Sequence, residues 1–196
     1  MNTPVSVGVI GAGAMGASHA RTLAAAVPGA RVARVFDMDT ARAAGLADEV
    51  GAEPADSPTA LIDAVDALVI ASPDFTHADL AIAGIEAGKH VLCEKPLAPT
   101  ADEALRVVEA EVAAGRRFVQ LGFNRRFDPG FVDLKSSILD GTLGDVRIVH
   151  GIHRNASNTT STDDATLVTG SMIHEFDTFR WLLDDEITGI RVESPI

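Results

Sequence analysis

Short apolar runs rich in β-branched residues alternate with longer alanine-rich stretches over the first 123 residues. The apolar runs lack a polar face, which is typical of strands buried on both sides of a parallel sheet. Strands are predicted at 5–10, 31–37, 66–72, 89–94 and 117–123. Helices are predicted at 15–27, 40–50, 75–87 and 101–115. The alternation therefore predicts an α/β fold, a doubly wound parallel sheet with helices on both faces and right-handed crossovers.

The pattern changes after residue 123. The stretch 127–144 predicts a helix ending at a glycine turn, and 145–155 alternates partially, which predicts a strand with one exposed face. A polar loop follows, then an amphipathic helix with His174 in its first turns, and then the start of another strand at GIRVES. These pieces do not complete a sheet. We therefore expect one domain over 1–123 and the N-terminal part of an incomplete α/β (α+β) second domain over 124–196.

Composition and net charge limit the classes of function that fit this chain. Hydrophobic residues make up 46% of the chain, enough for a sizeable core. The net charge of -12 argues against nucleic acid or an anionic membrane as the main partner, because both require a cationic face. Cys93 is the only cysteine, which excludes an internal disulfide framework and fits a reducing compartment. Without a secretory signal or a long apolar span, we expect a soluble, cytoplasmic protein.

The motif GAGAMG directly follows the first predicted strand and opens the first predicted helix. In this context Gly11 permits a tight turn, Gly13 lets the backbone approach a pyrophosphate, and Gly16 allows the helix to pack closely on the strand. The helix N-terminus offers free N–H groups to the phosphates. The predicted cofactor contacts in this loop are Gly11, Gly13, Ala14, Met15 and Gly16. A glycine turn without a ligand, or a flavin site, would show the same pattern.

An acid ends the second predicted strand, about 20 residues beyond the glycine loop, as dinucleotide sites require. Asp37 would accept hydrogen bonds from the adenosine ribose hydroxyls and would repel a 2′-phosphate. Neither neighbour in the sequence, Phe36 or Met38, supplies a compensating cation. The predicted cofactor is therefore NAD rather than NADP.

The fourth predicted strand closes with Glu94-Lys95-Pro96. Ligands of open parallel sheets bind beyond the carboxyl ends of the strands, so we expect Lys95 to project into the cofactor crevice. Proline restricts the residue before it, and the Lys95–Pro96 bond is a candidate for the cis form. Ser72 and His77 follow the third strand and are predicted, with Glu94 and Lys95, to contact the cofactor. The alternative for Lys95 is a solvated cation of a turn.

Six segments carry a family pattern: GAGAMG, ASPDFTHADLA, GKHVLCEKPLA, QLGFNRRFDPGF, GIHRN and MIHEFDTFRWLL. Together they resemble the glucose-fructose oxidoreductase/inositol dehydrogenase (Gfo/Idh/MocA) family, and within it the inositol 2-dehydrogenases. The resemblance implies an N-terminal Rossmann domain that binds NAD. It also implies a C-terminal α/β domain whose open sheet often forms homo-oligomers, dimers or tetramers.

The same resemblance implies roles for single residues. Lys95 matches the lysine that orients the substrate hydroxyl, and His174 matches the histidine that accepts its proton. The residues matching positions of a polyol pocket are Asn124, Arg125, His153 and Asn155. On the predicted strand, His153 and Asn155 share a face, which is consistent with that role. The reaction needs no metal, and the sequence shows no cluster of metal ligands.

Two features depart from the inositol 2-dehydrogenases. Gly170 stands where these enzymes usually carry an aspartate, one helical turn before the histidine, and such an acid would raise the basicity of His174. Asp177, one turn the other way, is a candidate substitute. Family members also usually continue for well over a hundred further residues, so we expect a truncated chain.

The leading hypothesis is an NAD-dependent oxidoreductase that takes hydride from a secondary alcohol of a cyclitol or sugar, with myo-inositol as the first candidate substrate and an inosose as product. The first alternative is a catalytically impaired or non-catalytic NAD-binding relative, which Gly170 favours. The second alternative is a related sugar dehydrogenase, because the polar pocket residues do not separate a cyclitol from a pyranose.

Overall fold

The computed structural model describes residues 3–154 and 167–193. The chain divides into two compact units, Met1–Gly122 and Phe123–Ile196. In the first unit six strands form one sheet in the order β3-β2-β1-β4-β5-β6, and every neighbouring pair is parallel. The strands are β1 (Val5–Ile10), β2 (Ala30–Phe36), β3 (Glu53–Pro54), β4 (Ala67–Ile70), β5 (His90–Cys93) and β6 (Val119–Leu121).

The helices of the first unit connect these strands. They are α1 (Ala14–Ala26), α2 (Thr40–Val50), α3 (Pro58–Asp63), α4 (His77–Glu86) and α5 (Ala101–Ala114), with a 3-10 turn (Asp74–Thr76) before α4. Several begin at side-chain caps. Thr100 and Glu103 form a capping box at α5, and the Ser57 hydroxyl accepts from the Ala60 amide at α3. None of the described helices of the chain is long and apolar enough to cross a membrane.

Two hydrophobic clusters cover the faces of the sheet. Successive side chains of β1 point to opposite faces, so Val9 joins a cluster with α1 and α2, whereas Ile10 joins a cluster with α3, α4 and α5. Both residues are at most 1% exposed. The strands are therefore apolar throughout because helices cover both faces, and the predicted doubly wound parallel sheet is confirmed.

The predicted elements of this unit are all present with slightly shifted ends, but two short elements were missed. The strand β3 has only two residues and contains a proline, so it shows no periodicity. The helix α3 has six residues. Its sequence signal is Ser57-Pro58, a cap followed by proline at the first helical position.

The second unit has two helices among its described residues, α6 (Pro129–Leu139) and α7 (Ile173–Leu183). A 3-10 turn (Asn124–Phe127) precedes α6, and a π-helical segment (Leu167–Met172) precedes α7. The predicted amphipathic helix with His174 in its first turn is confirmed. The predicted helix 127–144 is too long, because the chain turns at Gly141 and Gly144, which have φ of 76° and 67°.

The predicted strand 145–155 is wrong over its described part. Residues 145–154 form no strand, and residues 189–193 of the further predicted strand form none either. A strand exists only when a neighbouring backbone accepts and donates its hydrogen bonds. Within the described ranges no backbone segment pairs with these residues, so their apolar alternation does not become a sheet.

Candidate active site

The backbone of the turn between β1 and α1 packs closely against other backbone segments, both at the end of β4 and within the turn itself. Gly11 has φ of +98°, and a Cβ there would lie 2.5 Å from backbone atoms of Ala71 and Ser72 at the end of β4. A Cβ on Gly16 would lie 1.8 Å from the carbonyl oxygen of Gly11. Neither position accepts a side chain, so the two glycines fix how α1 leaves the sheet.

Gly13 differs from its two neighbours in the motif. It precedes the first residue of α1, no side chain caps this helix terminus, and a Cβ there would meet nothing within 4 Å. An uncapped helix N-terminus presents backbone N–H groups and a partial positive charge. Open space beside such a terminus fits a phosphate, so the residues present fit the pyrophosphate of a dinucleotide.

Backbone amides hold the carboxylate of Asp37 beside this turn. Its Oδ2 accepts from the Ala12 amide at 2.7 Å, and its Oδ1 accepts from the Asp39 amide at 2.8 Å. An arginine of α2 also lies close, with Arg42 Nη1 3.6 Å from Asp37 Oδ2. Phe36 and Met38 supply no cation, as the sequence predicts, but Arg42 places a positive charge near Asp37.

A cavity of about 950 Å³ lies against the glycine turn. Its volume is at the upper end of the range typical of ligand pockets. Four predicted cofactor residues line it, Gly11, Gly13, Asp37 and Ser72. The other predicted loop residues, Ala14, Met15 and Gly16, form the first turn of α1 beside it.

The residue before the predicted lysine is tied to the first helix. His19 Nε2 and Glu94 Oε1 are 2.8 Å apart, and the Lys95 amide lies 3.3 Å from the other oxygen of Glu94. The hydrogen bond with His19 is the main reason why the pKa of Glu94 is lowered. The Lys95–Pro96 bond is cis. The charged Glu94 thus connects α1 to the start of the segment that carries Lys95.

His77, predicted as a cofactor contact, is 2% exposed. Its Nδ1 lies 2.7 Å from the Pro96 carbonyl oxygen, and its Nε2 lies 2.8 Å from the Ser72 carbonyl oxygen. Both ring nitrogens are therefore engaged with backbone. His77 therefore connects the loops after β4 and β5, and its contact with the cofactor stays a prediction.

In the second unit the predicted residues gather around α7. The ring of His174 lies 6.3 Å from the ring of Phe123 in an edge-on arrangement and 6.3 Å from the ring of His153. The Thr178 hydroxyl donates to the His174 carbonyl oxygen at 2.5 Å. His153 and His174 are thus close together even though the strand predicted for His153 does not form.

The carboxylate of Glu175, which was not predicted as a site residue, contacts two of the predicted residues. Glu175 Oε1 accepts from Arg125 Nη1 at 2.6 Å and lies 3.3 Å from His153 Nδ1. Burial disfavours ionisation of this carboxyl, but the hydrogen bonds from Arg125 and His153 outweigh it and the pKa of Glu175 is lowered. Two of the four predicted polyol contacts therefore share one anionic partner.

The remaining predicted positions of this unit have different surroundings. Asp177, the candidate substitute for a missing acid, accepts from Arg126 at 2.9 and 2.5 Å through both oxygens, so its carboxylate is already paired. Gly170 belongs to the π-helical segment before α7, and Asn124 is exposed at the start of the 3-10 turn. Asn155 lies outside the described residues.

The missed residues share one property, which is that each acts through a partner distant in the sequence. His19 and Glu94 are 75 residues apart, and Arg125 and Glu175 are 50 apart. The available signals were weak. His19 lies one turn beyond the glycine loop, and Arg125-Arg126 pairs with acids at alternate positions of IHEFD. Within 3–154 and 167–193, no three metal-ligating side chains are grouped to hold an ion.

A parallel sheet in this strand order, a glycine turn after β1 and an acid after β2 define a dinucleotide-binding α/β protein. Sequence comparison then gives the family. A profile described as oxidoreductase family, NAD-binding Rossmann fold (GFO_IDH_MocA), matches residues 5–123. The chain belongs to this family, and the resemblance read from its motifs is confirmed.

Relatives and solved structures agree with this assignment. Inositol 2-dehydrogenase 2 of Saccharopolyspora erythraea is 50% identical over 194 residues, covering 97% of this chain and 57% of the relative. Inositol 2-dehydrogenase of Rubrobacter xylanophilus is 46% identical, covering 97% and 55%. The myo-inositol dehydrogenase of Lactobacillus casei, solved with NAD(H) and myo-inositol, has a TM-score of 0.88 and 33% identity, covering 93% and 55%. The chain thus spans little more than half the length of the proteins it matches.

Proposed function

We propose that this chain supplies the cofactor site and the acid–base residues of an NAD-dependent dehydrogenase that oxidises a secondary alcohol of a cyclitol, with myo-inositol as the substrate. The observation that carries the proposal is the cavity beside the glycine turn, where an uncapped helix terminus and the Asp37 carboxylate line the same space. The similarity to inositol 2-dehydrogenases supports the choice of substrate.

Three features of the first unit support binding of NAD. Backbone N–H groups at the start of α1 bind the pyrophosphate, and the open position at Gly13 admits it. Asp37, oriented by the Ala12 and Asp39 amides, accepts hydrogen bonds from the adenosine ribose. Bound NAD supplies the acceptor for the hydride that leaves the alcohol carbon.

The acid–base part of the proposal uses Lys95 and His174, the two positions that match the catalytic motifs of the family. Lys95 donates a hydrogen bond to the substrate oxygen and thereby orients the alcohol, and His174 accepts the proton that the hydroxyl loses. The alcohol becomes a ketone after losing one hydride and one proton. Glu175 holds Arg125 and His153 in place, so that both present hydrogen-bond donors to the other hydroxyls of a polyol.

The test is a steady-state assay of the complete protein with NAD and myo-inositol, following NADH absorbance. We expect Lys95→Met and His174→Gln each to lower kcat at least about hundredfold, the usual loss on removing a donor to the reacting oxygen or a general base. NADH affinity, measured by fluorescence titration, should change little in His174→Gln. A wild-type protein that binds NADH and oxidises neither inositol nor any sugar would contradict the proposal.

A second candidate is a non-catalytic NAD-binding relative. It is favoured by Gly170 and by the pairing of the nearby carboxylates, because Glu175 and Asp177 each already bind an arginine. The substitution Gly170→Asp separates the two candidates. A rise in kcat with unchanged NADH affinity identifies an enzyme whose base lacks its carboxylate, whereas no turnover in either form favours the binding protein.

A further inference from the structure

Two acids and one arginine form a cluster at the edge of the cofactor cavity. Arg42, in the first turn of α2, has its Nη2 3.2 Å from Asp39 Oδ2 and its Nη1 3.6 Å from Asp37 Oδ2. All three residues line the cavity. The Arg42 side chain is 53% exposed, so the guanidinium is held by its partners and not by packing.

The charges of this cluster oppose a phosphate. Two carboxylates against one guanidinium leave one net negative charge where the adenosine ribose of a dinucleotide would bind. A 2′-phosphate there would face Asp37, which is only 12% exposed and fixed by two backbone amides. Like charges at close range disfavour binding strongly.

The arginine itself is well suited to a phosphate. A guanidinium offers parallel N–H donors that match phosphate oxygens, and its long, exposed side chain can reorient with little loss of packing. Without the charge of Asp37, one carboxylate would remain against one guanidinium, and the net repulsion would disappear. Arg42 would then keep only the partner that also caps its own helix, Asp39.

We propose that Arg42 is a latent receptor for the 2′-phosphate of an adenine dinucleotide, kept neutralised by Asp37 and Asp39. Selectivity for NAD then depends on the three-residue cluster and not on Asp37 alone. The inference rests on the proposed NAD site and names the phosphate group that the same site would take once Asp37 loses its charge.

The experiment measures binding of NADH and NADPH to the complete protein by nicotinamide fluorescence. We expect the wild type to favour NADH, and Asp37→Asn to raise NADPH affinity relative to NADH by at least about tenfold. Asp37→Asn/Arg42→Ala should lose this gain. The matched control is Asp37→Asn/Arg21→Ala, which removes an equal charge from an exposed arginine outside the cavity lining and should keep the gain.

Each outcome decides a separate claim. If the Arg42 and Arg21 double variants bind NADPH equally well, or if Asp37→Asn shows no gain, the latent-receptor inference is overturned while the NAD site stands. A wild type that binds neither nucleotide rejects the proposed function and the inference together. Asp37→Ser serves as a second neutral variant, and thermal melting reports whether each protein is folded.

Discussion

Gly13 and Gly16 lie one turn apart in the same motif, yet the structure constrains them for different reasons. A Cβ on Gly16 would overlap the Gly11 carbonyl oxygen, which belongs to the backbone and cannot move aside without breaking the turn. A Cβ on Gly13 would meet only open space. Gly16 is therefore needed for folding, whereas any requirement at Gly13 must come from a ligand.

This contrast gives a prediction for Gly13→Ala. Because φ at Gly13 is -68° and nothing is near its Cβ, we expect the melting temperature to stay within experimental error of the wild type. NADH affinity should fall at least about tenfold, since a methyl group would occupy the space of the pyrophosphate. The measurements are thermal melting and fluorescence titration.

Gly16→Ala is the comparison variant, and it should lower the melting temperature. Unchanged NADH binding in Gly13→Ala would contradict the proposed phosphate position.

The second prediction concerns the thiol of Cys93. Burial, with a smaller effect of Glu94, raises its pKa to about 12 from 9.0. The unfolded chain therefore releases this proton at lower pH than the folded chain does. We therefore expect the free energy of unfolding to decrease as pH rises from 9.0 to about 12. The Cys93→Ser variant should not show this decrease. Iodoacetamide should label Cys93 in the unfolded protein but not in the folded protein. Rapid labelling of the folded protein would contradict the burial of this thiol.

Residues that act alone in a local pattern could be predicted from the sequence, whereas residues that act in pairs could not. The glycines and Asp37 follow from local turn geometry and strand ends. His19 and Glu175 matter because of Glu94 and Arg125, which only the folded chain brings near them. The sequence contains these residues but gives no spacing rule that joins them.

At the scale of helices and strands, the hydrophobic period and the length of each element determined whether it could be predicted from the sequence. The helices of ten or more residues and the fully apolar strands were found because each is long enough to show its own hydrophobic pattern, whereas the six-residue helix α3 was missed despite its Ser57 cap. The two-residue strand β3 carries none and forms only because the backbone of β2 is available to it. Residues 145–154 show the opposite case, in which an alternating pattern has no pairing partner among the described residues.

The third prediction is made for helix α2. Gly45 is exposed in the middle of this helix, its φ is not positive, and a Cβ there would meet nothing within 4 Å. Gly45→Ala should therefore stabilise the protein by about 0.5–1 kcal/mol, because alanine loses less backbone entropy on folding. Urea unfolding measures the change. Gly51→Ala is the counterpart, and because Gly51 has φ of +70° at the end of the same helix, it should destabilise. Equal effects of the two substitutions would contradict the helix assignment.

At the scale of the whole molecule, the two units differ in how much apolar surface they bury. Among the described residues, every buried hydrophobic side chain except Leu182 belongs to Met1–Gly122. All six strands and both hydrophobic clusters belong to the same unit. Hydrophobic burial is the dominant favourable contribution to folding, so the first unit has what an independent domain needs.

The fourth prediction follows from this distribution. Residues 1–122 expressed alone should unfold cooperatively and bind NADH with an affinity within about tenfold of the longer chain, a difference of about 1.4 kcal/mol, because every described residue that lines the cavity beside the glycine turn belongs to this unit. Residues 123–196 alone should show no cooperative transition, since too little apolar surface is buried to offset the chain entropy. Circular dichroism melts and fluorescence titration measure both. The control is Gly16→Ala in the short fragment, which should lose binding and stability together. A fragment 1–122 that is folded but does not bind NADH would contradict the prediction.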